Sequence, residues 1–93
     1  MSSVFQALSD PTRRRILELL RDGDMTAGEL AEHFELAKPT LSKHFAVLKA
    51  AELIQGERQG TSIVYHLNVS VLEEALLGLM NTFGINKGNE DAQ

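Results

Sequence analysis

The residues with the most chemistry to offer stand between positions 38 and 51, in the run Lys-Pro-Thr-Leu-Ser-Lys-His-Phe-Ala-Val-Leu-Lys-Ala-Ala. At 100° per residue, with Leu41 centred on a buried face, Phe45, Leu48 and Glu52 fall within about 40° of it. The opposite face carries Pro39, Lys43, Ala46 and Ala50, flanked by Thr40, Ser42 and Val47. That outer face is small and polar, with one cation near its middle. Small side chains let a helix sit deep in a major groove, and Thr, Ser and Lys reach base edges or phosphates. Lys43, Ser42 and Thr40 are therefore the candidates for the groove. Lys38 and Lys49 lie toward the flanks, where phosphates would run, and either backbone contact or plain solubility accounts for them. His44 sits nearer the core edge, placed to donate an N–H to a phosphate or to satisfy a local backbone group; the phosphate role is the one expected here.

Arg58, in the polar stretch Gln55-Gly56-Glu57-Arg58-Gln59-Gly60-Thr61, has two readings. It enters a minor groove or touches its phosphates, or it is an ordinary solvated side chain. The densest basic run, Arg13-Arg14-Arg15, spreads over about 200° of a helix and forms no single patch. Ion pairing with Glu18 and Asp10 is the expected use of these arginines.

Other chemistries are poorly served. Ser42, Lys43 and His44 are neighbours on one helix and point in different directions, and no glycine-rich phosphate loop or Ser-His-acid spacing is present. Cysteine is absent, which removes disulfides, thiolate ligands and cysteine redox switches. His33, His44 and His66 are isolated in sequence, and Glu29 with His33 makes only two ligands, so neither an enzyme nor a metal or cofactor site is expected.

Charge qualifies the nucleic-acid reading. The net charge of −4 argues against phosphate contact when taken alone. Its distribution is uneven: residues 1–37 sum to −3, residues 38–66 to +2 and residues 67–93 to −3. The one net-positive third contains the candidate helix.

The elements that must position these residues follow from pattern. Val4, Phe5 and Leu8 have helical spacing near the start. Ser9 or Asp10 caps a second helix with Pro11 in its first turn, Ile16, Leu17, Leu19 and Leu20 as its stripe and Gly23 as its end. Thr26 and Glu29 match a capping box opening a third helix through Leu30, Ala31 and Phe34. After the link Glu35-Leu36-Ala37 comes the 38–51 helix. Two β-prone runs, around Leu53-Ile54 and Ile63–Leu67, bracket a glycine-containing turn and predict a hairpin. Ser70 and Glu73 suggest a second capping box for a last helix reaching Phe83. The tail from Ile85 to Gln93 is polar and expected to fray. The whole predicts one mainly α domain over residues 1–84, a winged helix-turn-helix with a two-stranded wing.

The last helix holds Val71, Leu72, Ala75, Leu76, Leu77, Leu79, Met80 and Phe83, too many for one stripe. A helix apolar over most of its circumference is buried on two sides. In 93 residues the second side points to another subunit, with Val4, Phe5 and Leu8 as companions. The expected dimer interface is Val4, Phe5, Leu8, Leu72, Leu76, Leu79, Met80 and Phe83. No apolar run approaches the roughly 20 residues of a membrane span, and the first residues lack a secretion-signal pattern; a cytoplasmic, non-membrane protein is expected.

Three segments together, FQALSDPTRRRILELL, MTAGELAEHFELAKPTLSKHFAVLKAAELI and IVYHL, resemble the ArsR/SmtB family of bacterial winged-helix repressors, and within it the small SdpR-like autorepressors. The resemblance spans about residues 3–83. It implies a homodimer through the first and last helices, an inverted-repeat operator in double-stranded DNA, and a DNA side formed by Lys38, Thr40, Ser42, Lys43 and His44 with the hairpin as wing. Metal-sensing members carry Cys in the third helix or Asp and His in the last. Here those helices read GELAEHF and SVLEEALLGLMNTF. The family's usual route of release is thus missing, which leaves a regulatory protein partner, a small ligand or constitutive autorepression. The competing function is a winged-helix module for protein contacts, which the negative net charge favours.

Overall fold

A computed structural model describes residues 2–85; most of the expected polar tail lies outside them. The element order is α1 (Ser2–Leu8), α2 (Pro11–Arg21), β1 (Met25–Thr26), α3 (Ala27–Ala31), α4 (Lys38–Ala50), β2 (Ile54–Gln59), β3 (Ser62–Leu67) and α5 (Val69–Thr82). The winged helix-turn-helix is as expected, with one addition. Met25 and Thr26 pair antiparallel with Tyr65 and Val64, so the sheet has three strands in the order β1-β3-β2. A two-residue strand carries no period-two pattern, which is why residues alone did not show it.

Local rules explain most boundaries. Asp10 caps α2, its carboxylate accepting from the Arg13 amide at 3.1 Å, and Pro11 takes the first helical position. Thr26 and Glu29 form the full capping box of α3, at 3.0 and 2.8 Å. That helix is shorter than expected. It closes at Ala31 in turns that bond the His33 and Phe34 amides to Leu30 and Ala31.

Two expectations are corrected. Glu52 does not continue the buried face of α4. Ala51 ends the helix, and Glu52 turns out at φ 62°, exposed to solvent. The Glu52 amide bonds Lys49 O and the Leu53 amide bonds Leu48 O, the paired closure of a Schellman motif, with Leu53 buried against the core. Ser70 does not cap α5. The cap position belongs to Asn68, without a side-chain capping bond; its Nδ2 donates instead to Glu52 O at 2.7 Å. The start of α5 is thereby tied to the end of α4.

The core lies between α2, α3, α4 and the sheet: Ile16, Leu17 and Leu20, then Leu30, then Leu41, Phe45 and Leu48, closed by Leu53, Ile54 and Tyr65. Among the described residues, Ala7 is the one fully buried residue of α1, and α5 has none. Among the described residues no helix is long and apolar enough to cross a membrane.

Candidate nucleic-acid interface

The outer face of α4 is built by its inner one. Leu41, Phe45 and Leu48 are buried at 3, 7 and 0% exposure, which fixes the helix's rotation. Lys38, Thr40, Ser42, Lys43 and Lys49 are then all exposed, with Ala46 and Ala50 between them. All five of these candidates are thus solvent-exposed along α4. Ala37 is the N-cap and offers no side-chain bond to the first amides of α4, while Lys38 and Ser42 border a shallow groove of about 200 Å³ against Ala27, Gly28 and Ala31 of the preceding helix. This face can sit in a groove with cations at its edges.

His44 sits at the core edge, held by side chains rather than by a local backbone group. Its side chain is only 17% exposed, and Nδ1 stands 3.2 Å from the Arg13 guanidinium nitrogen Nη1 and 3.9 Å from Asp10 Oδ2. The second distance is too long for a hydrogen bond. Arginine has no acceptor, so this bond requires an unprotonated Nδ1 and leaves the neutral ring's proton on Nε2. Any phosphate contact of His44 is restricted to that outer nitrogen.

Arg13 also departs from the ion-pair expectation. Its Nε donates to Ala7 O at 2.8 Å and its Nη2 to Gln6 O at 3.0 Å, while Arg14 donates to Leu8 O at 2.7 Å. Both arginines therefore serve the last carbonyls of α1. Only Arg15 makes the expected pair, with Glu18 at 3.0 Å, and there both partners are more than half exposed, where such pairs contribute little. Asp10 lies among these cations. Partial burial disfavours its charge, but the Arg13 amide bond, the His44 ring in its protonated form and the Arg13 guanidinium outweigh it, and its carboxyl is held below the ordinary value of 3.8.

Arg58 is exposed on β2, opposite Ile63, one pair before the turn, where Gly60 supplies φ 64°. The wing is connected to α4 through a residue that sequence reasoning passed over. Tyr65 packs on Phe45 with ring centroids 5.0 Å apart, lies 6.0 Å from Lys49 Nζ, and crosses Gly56 so closely that a Cβ there would meet its ring at 2.8 Å. Burial pushes the Tyr65 phenol's pKa up. A glycine in a strand opposite an aromatic residue was the available signal. On the same hairpin His66 Nε2 and Gln55 Oε1 are 2.8 Å apart. Among the described residues no group of three or more His, Cys, Asp or Glu side chains is arranged to hold a metal ion.

Known proteins are similar to this chain in sequence and in fold. Residues 10–56 match the family model described as "Bacterial regulatory protein, arsR family". The transcriptional repressor SdpR of Bacillus subtilis is 52% identical over 91 residues, covering 98% of this chain and 99% of that one. The arsenical resistance operon repressor of Staphylococcus aureus is 37% identical over 88% of this chain and 81% of its own length. Among solved structures, an ArsR-like transcriptional regulator from Rhodococcus superposes with a TM-score of 0.82 at 31% identity, over 89% of this chain and 76% of that one.

Proposed function

Because the chain belongs to the arsR family, and is like its relatives a DNA-binding transcriptional repressor and not an enzyme, we propose that it works as a cytoplasmic homodimer on an inverted-repeat operator and represses its own synthesis. The observation that carries this reading is the outer face of α4, where Thr40, Ser42 and Lys43 stand exposed over a fully packed Leu41–Phe45–Leu48 seam. Thr40, Ser42 and Lys43 enter the major groove. Lys38 and Lys49 neutralise flanking phosphates, His44 offers Nε2–H to the backbone, and Arg58 on the wing reaches the adjacent minor groove or its phosphates.

The dimer rests on the apolar surface left at the two ends of the chain. Leu76, Leu79 and Phe83 of the α5 region are 45, 39 and 69% exposed, and Phe5 of α1 is 36% exposed. Leu8, Leu72, Met80 and Val4 are half-buried beside them. A two-fold axis through this surface buries both helices and sets two copies of α4 about 34 Å apart, one turn of the duplex. Release by a regulatory protein partner fits a chain in which neither the third nor the last helix has the family's metal ligands.

Footprinting on the DNA upstream of the chain's own gene tests the reading. Two protected half-sites about one helical turn apart are expected. Absence of protection there, with specific binding elsewhere, removes autoregulation; binding that does not respond to salt indicates a protein-contact module instead.

A further inference from the structure

Helix α1 has seven residues and no basic residue in its last turn, yet its last carbonyls are served by side chains from α2. The Arg13 guanidinium uses all three nitrogens. Nε and Nη2 take Ala7 O and Gln6 O at the end of α1, and Nη1 takes His44 Nδ1 in the middle of α4. The Arg13 amide is fixed by the Asp10 carboxylate at the same corner. One planar, fully charged group therefore joins the helix proposed to pair subunits to the helix proposed to enter DNA.

We infer that Arg13 and His44 are positioning residues for operator binding: their bond fixes the angle of α4 against α1, and so sets the separation of the two copies of α4 in the dimer. This inference rests on the homodimer reading above. The geometry suits the task. Leu41, Phe45 and Leu48 set the rotation of α4 about its axis, but apolar contacts are non-directional. A guanidinium fork has fixed donor directions and resists tilt. The partner atom on α4 is a buried-side ring nitrogen next in sequence to Lys43, so a change in tilt there is passed directly to the exposed face. Arg14, on Leu8 O, holds the same end of α1 and, among the described residues, has no hydrogen bond to α4.

The test uses the full-length chain and duplexes carrying the footprinted operator with the spacer between half-sites lengthened or shortened by one base pair, about 3.4 Å along the axis. The wild type is expected to lose about tenfold in affinity on either change. Arg13→Lys and His44→Ala are expected to bind the natural spacing more weakly and to lose less than about threefold on the same changes, because a loosened α4 tolerates each spacing alike. His44→Asn, which returns an acceptor near the Nδ1 position, is expected to restore the spacing preference, and His44→Gln is not. Thermal unfolding and sedimentation confirm that each variant is folded and dimeric. Variants as spacing-sensitive as the wild type overturn the clamp while leaving the dimer reading intact. Restoration by Gln and not Asn also overturns it, since that pattern assigns His44 to a phosphate through Nε2. A wild type indifferent to spacing removes the two-fold reading and this inference with it.

Discussion

Single residues here separate charge from shape. Asp10 caps α2, and against the desolvation of partial burial the Arg13 amide bond together with the charges beside it holds its carboxyl below the ordinary value. A carboxyl lowered in the folded state stabilises fully above the unfolded value, about 3.9, and the contribution is lost as pH falls through the folded value. Asp10→Asn keeps the cap and removes the charge. The wild type is expected to melt higher than the variant at pH 6, with the gap closing as acid protonates the carboxyl; a gap that does not shrink at any acid pH where both proteins stay folded contradicts this role of Asp10. Gly56 tests shape alone. Gly56→Ala sets a Cβ 2.8 Å from the Tyr65 ring and pushes that ring off Phe45, and urea unfolding is expected to register a loss of about 1–3 kcal/mol. Residue types foretold the exposed α4 face well, because one buried stripe determines its opposite. They placed His44 at the core edge but did not foretell its partners, since Arg13 and Asp10 lie 31 and 34 residues away in sequence and no periodicity encodes that meeting.

Elements were legible where their signals are local. Pro11 after Asp10, and Thr26 with Glu29, are short-range devices, and both appear in the structure as read. Ser70 with Glu73 has the same spelling but not the same use, because Asn68 already starts α5 and spends its side chain on Glu52 O. The two spellings separate in a thermal melt. Thr26→Ala is expected to cost about 1 kcal/mol, whereas Ser70→Ala is expected to stay within about 0.5 kcal/mol of the wild type. The end of α4 offers the reverse case. Glu52 holds a left-handed φ of 62° that glycine adopts without strain. Glu52→Gly is therefore expected to raise stability by about 0.5–1 kcal/mol, and a loss would show that the Glu52 side chain stabilises the turn. Strand β1 escaped reading because Met25 and Thr26 become a strand only by pairing with Tyr65 and Val64.

At the scale of the whole molecule the negative total charge and the DNA-binding role are reconciled by segregation. The acidic thirds lie at the two ends of the chain and the positive third holds α4 and the hairpin. The same partition leaves the apolar surface of α5 without cover in one chain. Leu79→Glu places a charge on that surface at a site that is already 39% exposed, so the fold is expected to survive. Sedimentation should then show a monomer, with operator affinity reduced on the order of a hundredfold because two linked half-sites have become one; a variant that remains dimeric moves the interface elsewhere. Whether the exposed face of α4 meets the duplex is read from an anisotropy titration of the footprinted upstream operator across a salt series, for the wild type and Lys43→Ala. Steep weakening with salt is expected for the wild type, and for Lys43→Ala weaker binding with a slope smaller by about 0.9, the share of one phosphate contact, or an unchanged slope with relaxed sequence preference if Lys43 reads a base. Equal affinity, slope and sequence preference for the two folded proteins would contradict that contact.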